Sequence, residues 1–345
     1  MGNTQNCMPL SRRSLDNTIQ KQRQTSQIIH RSKVNYDHLV VLLGASGTSK
    51  STFLKQIRII EDAPQFRDSL SSEKSKKRIR THVASIVKNL IEECVKYNID
   101  IQEEENRQHA ENIMCNEDPS YLLTEIKSLI KDGGVQVAMK KSLPGSVQFG
   151  NADQYFFDNV ERIMSRDFEP TPTDYLKMTS LRAPCDSVQD VTLSGTKIRF
   201  EDVCATKNRS KWRSKIHSMN IIMFFASLTD YTQMSDEDDT KTRMDASIAL
   251  FHELLDSVNC KIILVLSKSD VLKETLDRTP ICAIKDEEAA IDTIKRLYMD
   301  GRDDDRSRVF ISVCNVTDSE NVKVVCKRCT DLLIYGDRNK LSMSK

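Results

Sequence analysis

An excess of charge of either sign is missing from this 345-residue sequence: 51 lysines and arginines against 50 aspartates and glutamates leave a formal charge of +1. That balance removes the electrostatic reason to expect a nucleic acid partner. Long apolar runs are missing as well. The longest, IIMFFA at residues 221–226, falls far short of the ~20 residues needed to span a bilayer. No secretory signal precedes the first charges, so the chain reads as intracellular and soluble, or held on a membrane surface. The ten cysteines show no zinc-type spacing with histidine. One C-x-x-C pair, Cys326 and Cys329 in KVVCKRCTDLL, lies inside an amphipathic helical pattern, where two reduced helix cysteines are expected over metal or redox chemistry.

Glycine is missing from one place where chemistry wants it. GASGTSKST (residues 44–52) approaches the phosphate-binding pattern G-x-x-x-x-G-K-[ST], but Ser49 stands where the second glycine belongs, just before Lys50 and Ser51. HLVVLLG before it is a short apolar run ended by Gly44, as expected of a buried parallel strand. STFLKQIRII after it sets Phe53, Ile57 and Ile60 at helical spacing. Strand, loop and helix in that order are the context a phosphate loop requires. A strand-to-helix turn with no ligand is the bland alternative.

The chain exceeds the length at which one core usually stops growing, so two domains are expected. Residues 1–33 are polar and basic and read as an arm. From 63 to 169 strand signals nearly vanish; Val83, Ile86, Val87, Leu90, Ile91 and Cys94 fall at helical spacing, and YLLTEIKSLI and YFFDNVERIM repeat the pattern. The basic run at residues 74–80 reads as the solvated face of the first of these helices. After Pro170 and Pro172 strands return: VTLSGTKIRF as a hairpin around Ser194-Gly195, then NIIMFFASL, KIILVLSKSD and RVFISV, with helices at 244–258 and 321–335. The alternation predicts an α/β fold, a wound and mostly parallel sheet interrupted by an all-helical insert after its first helix. The polar stretches GASGTSKST, SKSD and CNVTD then fall at the carboxyl ends of strands.

These segments together resemble the alpha subunit of heterotrimeric guanine nucleotide-binding proteins. The resemblance is carried by LLGASGTSKSTFLKQIRII, YFFDNVERIMSRDFEPTPTDYL, KIRFEDVCATKNRSKW followed by FFASLTDYTQ, then LVLSKSD and VTDSENV, in the family's order from residue 42 to 322. It implies a P-loop GTPase fold of the Ras type built from 34–62 and 170–345, with 63–169 as the inserted helical domain and 1–33 as the N-terminal basic arm. It implies GTP or GDP with Mg²⁺ as ligands. The phosphate loop would comprise Gly44, Ala45, Ser46, Gly47, Thr48, Ser49, Lys50, Ser51 and Thr52, with Lys50 reaching the outer phosphates and Ser51 ligating magnesium. SKSD matches the guanine motif N-K-x-D: Asp270 accepts from the base, the Lys268 stem packs on its ring, Ser267 replaces asparagine, and a backbone contact comes near Val316.

The hydrolytic parts depart from the family. Counting from DYL, Thr179 stands at the arginine-finger position and Ala183 at the second magnesium position. Counting back from Trp212, D-V-G-G-Q reads Glu201, Asp202, Val203, Cys204 and Ala205, with Ala205 in the glutamine's place; a one-residue shift restores Asp202-Val203 and puts Thr206 there. At the termini, Gly2 offers a myristoylation site with Asn6 where Ser or Thr is preferred, and Cys7 offers a palmitoylation site. The chain ends KLSMSK, with Ser342 and Met343 where the family's receptor-contacting tail has Gly-Leu. The resemblance therefore implies an alpha subunit that modulates or transduces G protein-coupled receptor signalling, with strongly impaired GTP hydrolysis. Its partners would be the βγ dimer, an effector, a receptor and a membrane surface, at the cytoplasmic face of the plasma membrane or in the cytoplasm. The alternative is a pseudo-GTPase binding module that holds βγ or an effector independently of nucleotide. A P-loop kinase or ATPase fits SKSD and the helical insert poorly.

Overall fold

The computed structural model describes residues 36–61, 64–116, 122–140, 151–178, 188–193, 195–203, 221–235, 238 and 240–336. HLVVLLG becomes strand β1 (His38–Gly44), buried along almost its whole length. It forms the middle of a six-stranded sheet with β2 (Val188–Leu193), β3 (Thr196–Asp202), β4 (Ile221–Ser227), β5 (Lys261–Ser267) and β6 (Val309–Cys314). The order is β2-β3-β1-β4-β5-β6, and the β2–β3 hairpin is the one antiparallel pair. Gly195, with φ of +80°, sits in its turn.

Helices cover both faces, which is why the central strands read as unbroken apolar runs. Val41, Leu43, Phe224, Ala226, Leu264 and Leu266 point to one face and pack with α10 (Arg243–Ser257), α11 (Leu272–Arg278) and α12 (Glu287–Tyr298). Their neighbours in sequence, Val40, Leu42, Met223, Phe225, Ile263 and Val265, point to the other face and pack with α1 (Lys50–Glu61) and α13 (Ser319–Ile334). The two-residue alternation of a strand produces both cores from one sheet. α10 and α13 match the expected helices; α11 and α12 lie between sequence signals that predicted none.

Between α1 and β2 the described chain is helical: α2 (Pro64–Leu70), α3 (Glu73–Lys96), α4 (Glu104–Cys115), α5 (Leu123–Leu129), α6 (Gly133–Lys140), α7 (Asn151–Asp158), α8 (Val160–Met164) and α9 (Pro172–Lys177). Val83, Ile86, Val87, Leu90, Ile91 and Cys94 of α3 line a core with Ile126, Leu129, Phe156, Ile163 and Phe168 that contains no strand residue. Met178 joins this helical core, so its packing reaches past residue 169. Of the basic run, Lys74, Lys77 and Arg78 are exposed, while Arg80 donates to Ile163 O at 3.0 Å and Ser165 O at 2.7 Å and Lys76 pairs with Glu169 at 2.5 Å. Asp174, fully buried, accepts from Arg162 Nη2 at 2.6 Å, from Tyr155 Oη at 2.8 Å and from Thr171 N at 2.7 Å, which closes the capping box of α9. Residues His38–Lys345 group as one compact unit; Met1–Asp37 is a second, of which residues 36 and 37 are described.

The chain leaves β1 through α1 to reach β3 on one side, and β4 lies on the other. The loop after β1 is thus at the point where strand order reverses, the position at which wound α/β sheets bind ligands.

Candidate functional site

The loop after β1 is shaped by three positive φ angles. Gly44, at φ +136°, lies against β4 so closely that a β-carbon there would fall 2.2 Å from Phe225 O. Gly47 has φ +78° and Ser49 φ +71°. The left-handed conformation expected of a glycine before the lysine is therefore adopted by a serine, at a cost of about 1–2 kcal/mol. Ser49 O accepts from Phe53 N at 2.9 Å, so the strained residue also opens α1. The first amides of that helix, with its positive dipole end, face the loop.

Lys50 is 8% exposed and its ammonium turns onto the loop, donating to Gly44 O at 2.8 Å and Ala45 O at 2.6 Å. Thr48 Oγ1 donates to Ala45 O at 2.8 Å. Ser51 Oγ donates to Asp202 Oδ2 at 3.1 Å. A hydroxyl and a carboxylate at that separation are oxygen donors suited to a hard divalent cation. Among the described residues no group of three His, Cys, Asp or Glu side chains could hold a metal. A two-oxygen protein set agrees with a cation that keeps waters and phosphate oxygens as its other ligands. Thr52 follows within α1. One turn further on, Lys55 donates to Met178 O and its pKa falls to about 8, through burial first and the nearby Arg78 charge second. That contact ties α1 to the chain just before Thr179.

At the end of β5 the sequence-predicted base contacts separate into two kinds. Ser267 is fully buried, its Oγ 3.1 Å from Thr48 O and 3.0 Å from Ala226 O. It joins β5 to the phosphate loop and to β4, a role that a reading of SKSD as a base-binding motif did not include. Lys268 has φ +63° and is half-exposed. Its ammonium stands 3.7 Å from Asp230 Oδ1. Asp230 is 1% exposed and, among the described residues, neither of its carboxylate oxygens accepts a hydrogen bond; the Lys268 ammonium is the cation that lies beside it. Asp270 is exposed at the same strand end. The Val316 side chain is buried in the core between β6 and α13, leaving its backbone as the part able to meet a ligand. Cys314 beside it is pushed up to about 12, mainly by burial and then by Asp318 and Asp270.

Sequence reasoning missed Arg243, whose Nη2 donates to Ser46 O at 2.5 Å, and Asp230. No local pattern flags either. Cys326 and Cys329 are free and buried in α13; burial raises the pKa of both thiols. Thr179, Ala183, Cys204, Ala205, Thr206, Gly2, Cys7, Ser342 and Met343 lie outside the described residues, as does the N-terminal arm.

A glycine-bounded loop between a central strand and a helix at the switch point, with a buried lysine and a hydroxyl–carboxylate pair, defines a nucleotide-binding protein of the P-loop class. Comparison with known proteins narrows the class. The G-protein alpha subunit family matches residues 11–333. The guanine nucleotide-binding protein alpha-4 subunit of Dictyostelium discoideum is 31% identical over 317 residues, covering 86% of this chain and 88% of the relative. A guanine nucleotide-binding protein subunit alpha of Emericella nidulans is 26% identical over 338 residues, 92% of each chain. The chain belongs to the G-protein alpha subunit family, the guanine nucleotide-binding subunits of signal transduction.

Proposed function

We propose that this chain is a divergent alpha subunit that binds GDP and GTP with Mg²⁺ in the loop after β1 and hydrolyses GTP very slowly. The observation that carries the reading is the Ser51 Oγ–Asp202 Oδ2 contact of 3.1 Å beside a loop whose lysine is already buried in it. Ser51 and Asp202 would hold the magnesium ion, which when bound neutralises charge on the β- and γ-phosphates. Lys50 would turn from the loop carbonyls to the outer phosphates. Asp270 would accept from the guanine N1 and N2 groups, and the Lys268 stem, steered by Asp230, would pack on the ring.

Asp202 beside Ser51 favours the register in which Asp202-Val203 is the D-V pair. Thr206, in place of Ala205, then stands for the glutamine that orients water, and Cys204 and Ala205 for the two glycines. With Thr179 at the arginine-finger position, a group worth about 10³ to 10⁵ in rate is absent. The helical core separate from the sheet supports the division into a GTPase part, 34–62 with 170–345, and an insert at 63–169. A βγ dimer, an effector and a membrane surface reached through Gly2 and Cys7 complete the proposal, at the cytoplasmic face of the plasma membrane.

A second reading, a binding module indifferent to nucleotide, draws on a specific observation: the Lys50 ammonium is satisfied within the loop by Gly44 O and Ala45 O. Calorimetric titration of the folded protein with GDP and with a non-hydrolysable GTP analogue, in Mg²⁺, separates the two. Saturable heat with both supports the nucleotide-binding subunit; none with either, in protein whose fold is intact, hands the chain to the second reading.

A further inference from the structure

The phosphate loop contains a strained residue, and ahead of that residue two side chains from distant parts of the sequence hold loop carbonyls from outside. Ser267 Oγ meets Thr48 O. Arg243 does more. Its Nη2 donates to Ser46 O at 2.5 Å, its Nη1 to Gln233 Oε1 at 3.0 Å, and its backbone N–H to Gln233 O at 2.8 Å. Arg243 is the first residue of α10, whose capping box is closed by Thr242 and Asp245, and Met244 next to it is buried in the core. The base of the side chain is therefore fixed before its guanidinium reaches the loop. A β-carbon at Gly47 would come 3.2 Å from Arg243 Nη2, so the guanidinium lies over a residue with no side chain to obstruct it.

We propose that Arg243 is a positioning residue for the nucleotide phosphates: it pins the Ser46–Gly47 peptide and so keeps the loop in the conformation that Ser49 resists. The inference rests on the reading that this loop binds nucleotide. Relaxing Ser49 from φ +71° requires the residues before it to move, and Ser46 and Thr48 are the two positions held from outside. A loop that spends part of its time relaxed binds more weakly by the fraction lost. The clamp therefore matters most where the loop is strained and little where it is not. A guanidinium suits the task because its fixed plane serves Ser46 O and Gln233 Oε1 together, which an ammonium on a flexible stem does not.

A double-mutant cycle on the full chain tests this, with GDP and Mg²⁺ as the probe. Arg243→Ala is expected to weaken GDP binding about tenfold, the order of the left-handed penalty. In the Ser49→Gly background the same change is expected to cost less than about threefold. Arg243→Lys should fall between. A loss of equal size in both backgrounds would assign Arg243 a plain electrostatic effect on the phosphates and overturn the proposal, as would no loss in either. Amide hydrogen exchange over residues 45–50 in nucleotide-free protein provides a readout that needs no ligand. Exchange should quicken in Arg243→Ala and return to the parent rate in the double variant. If the folded parent binds no GDP, the nucleotide-binding reading fails, and unchanged exchange in Arg243→Ala would separately sink the clamp.

Discussion

Ser51 Oγ in the first turn of α1 and Asp202 Oδ2 at the carboxyl end of β3, 151 positions apart in sequence, lie 3.1 Å from each other. The register of β1 and β3 brings this about. Leu42 pairs with Asp202, and Val203 N donates to Leu42 O at 3.1 Å, so β3 ends level with the loop. Hydroxyl and carboxylate are the two oxygens on which the proposed magnesium site rests.

Removing either partner should abolish the magnesium dependence of nucleotide binding. For Ser51→Ala and Asp202→Ala, GDP affinity in Mg²⁺ is expected to fall by about tenfold or more, toward the value the parent shows in EDTA. Calorimetric titrations with and without the metal check it. A variant that keeps the full magnesium effect would mean the pair is structural.

Ser49→Gly relieves the left-handed strain. If the loop is a weakened working site, affinity for GDP should rise about five- to thirtyfold, the equivalent of about 1–2 kcal/mol. The binding-module reading expects no change.

The local parts of this site were legible in the sequence and its distant parts were not. A buried run ending in Gly44, a polar loop and a helix with Phe53 and Ile57 inward are written within twenty residues. The same is true of the strand periodicity that placed β4, β5 and β6. Arg243 meets Ser46 across 197 positions and Ser267 meets Thr48 across 219; no periodicity encodes such contacts. SKSD as a motif offers Ser267 as a shortened base contact; the inward turn of its hydroxyl to Thr48 O and Ala226 O depends on strand register and is not written in the motif. Counting back from Trp212 leaves two registers open, one starting at Glu201 and one at Asp202, and it is strand pairing that brings Asp202 to Ser51. The missed helix α12 buries only Ala290, Ile294 and Tyr298, an apolar stripe too narrow to stand out.

Ser267→Ala should destabilise the fold as well as the site. It leaves Thr48 O and Ala226 O without the hydroxyl that both face, a loss expected at about 1–3 kcal/mol. Urea unfolding measures it, and GDP affinity should fall in parallel because Thr48 is in the loop.

Acid should weaken the helical core through His82. The ring is 5% exposed, packs edge-on to Phe156 with centroids 4.9 Å apart, and has its pKa lowered from 6.5 to about 4 by burial first, then by Lys55 and Arg78. The native state resists a proton that the unfolded chain accepts, so this stabilisation is complete above about pH 6.5 and is lost as pH falls toward 4. Between pH 7 and pH 5 the loss should be about 2 kcal/mol. His82→Phe should remove that part of the pH dependence in urea unfolding; an identical slope in the variant would show that other groups carry it.

Single-turnover hydrolysis of GTP by the folded, magnesium-loaded protein tests the central claim most directly. Alpha subunits with their arginine in place turn over at about 10⁻² s⁻¹. With Thr179 and Thr206 where the arginine and glutamine would stand, bound GTP should persist, cleaved slower by a factor of about 10³ or more. Cleavage at about 10⁻² s⁻¹ would contradict the account.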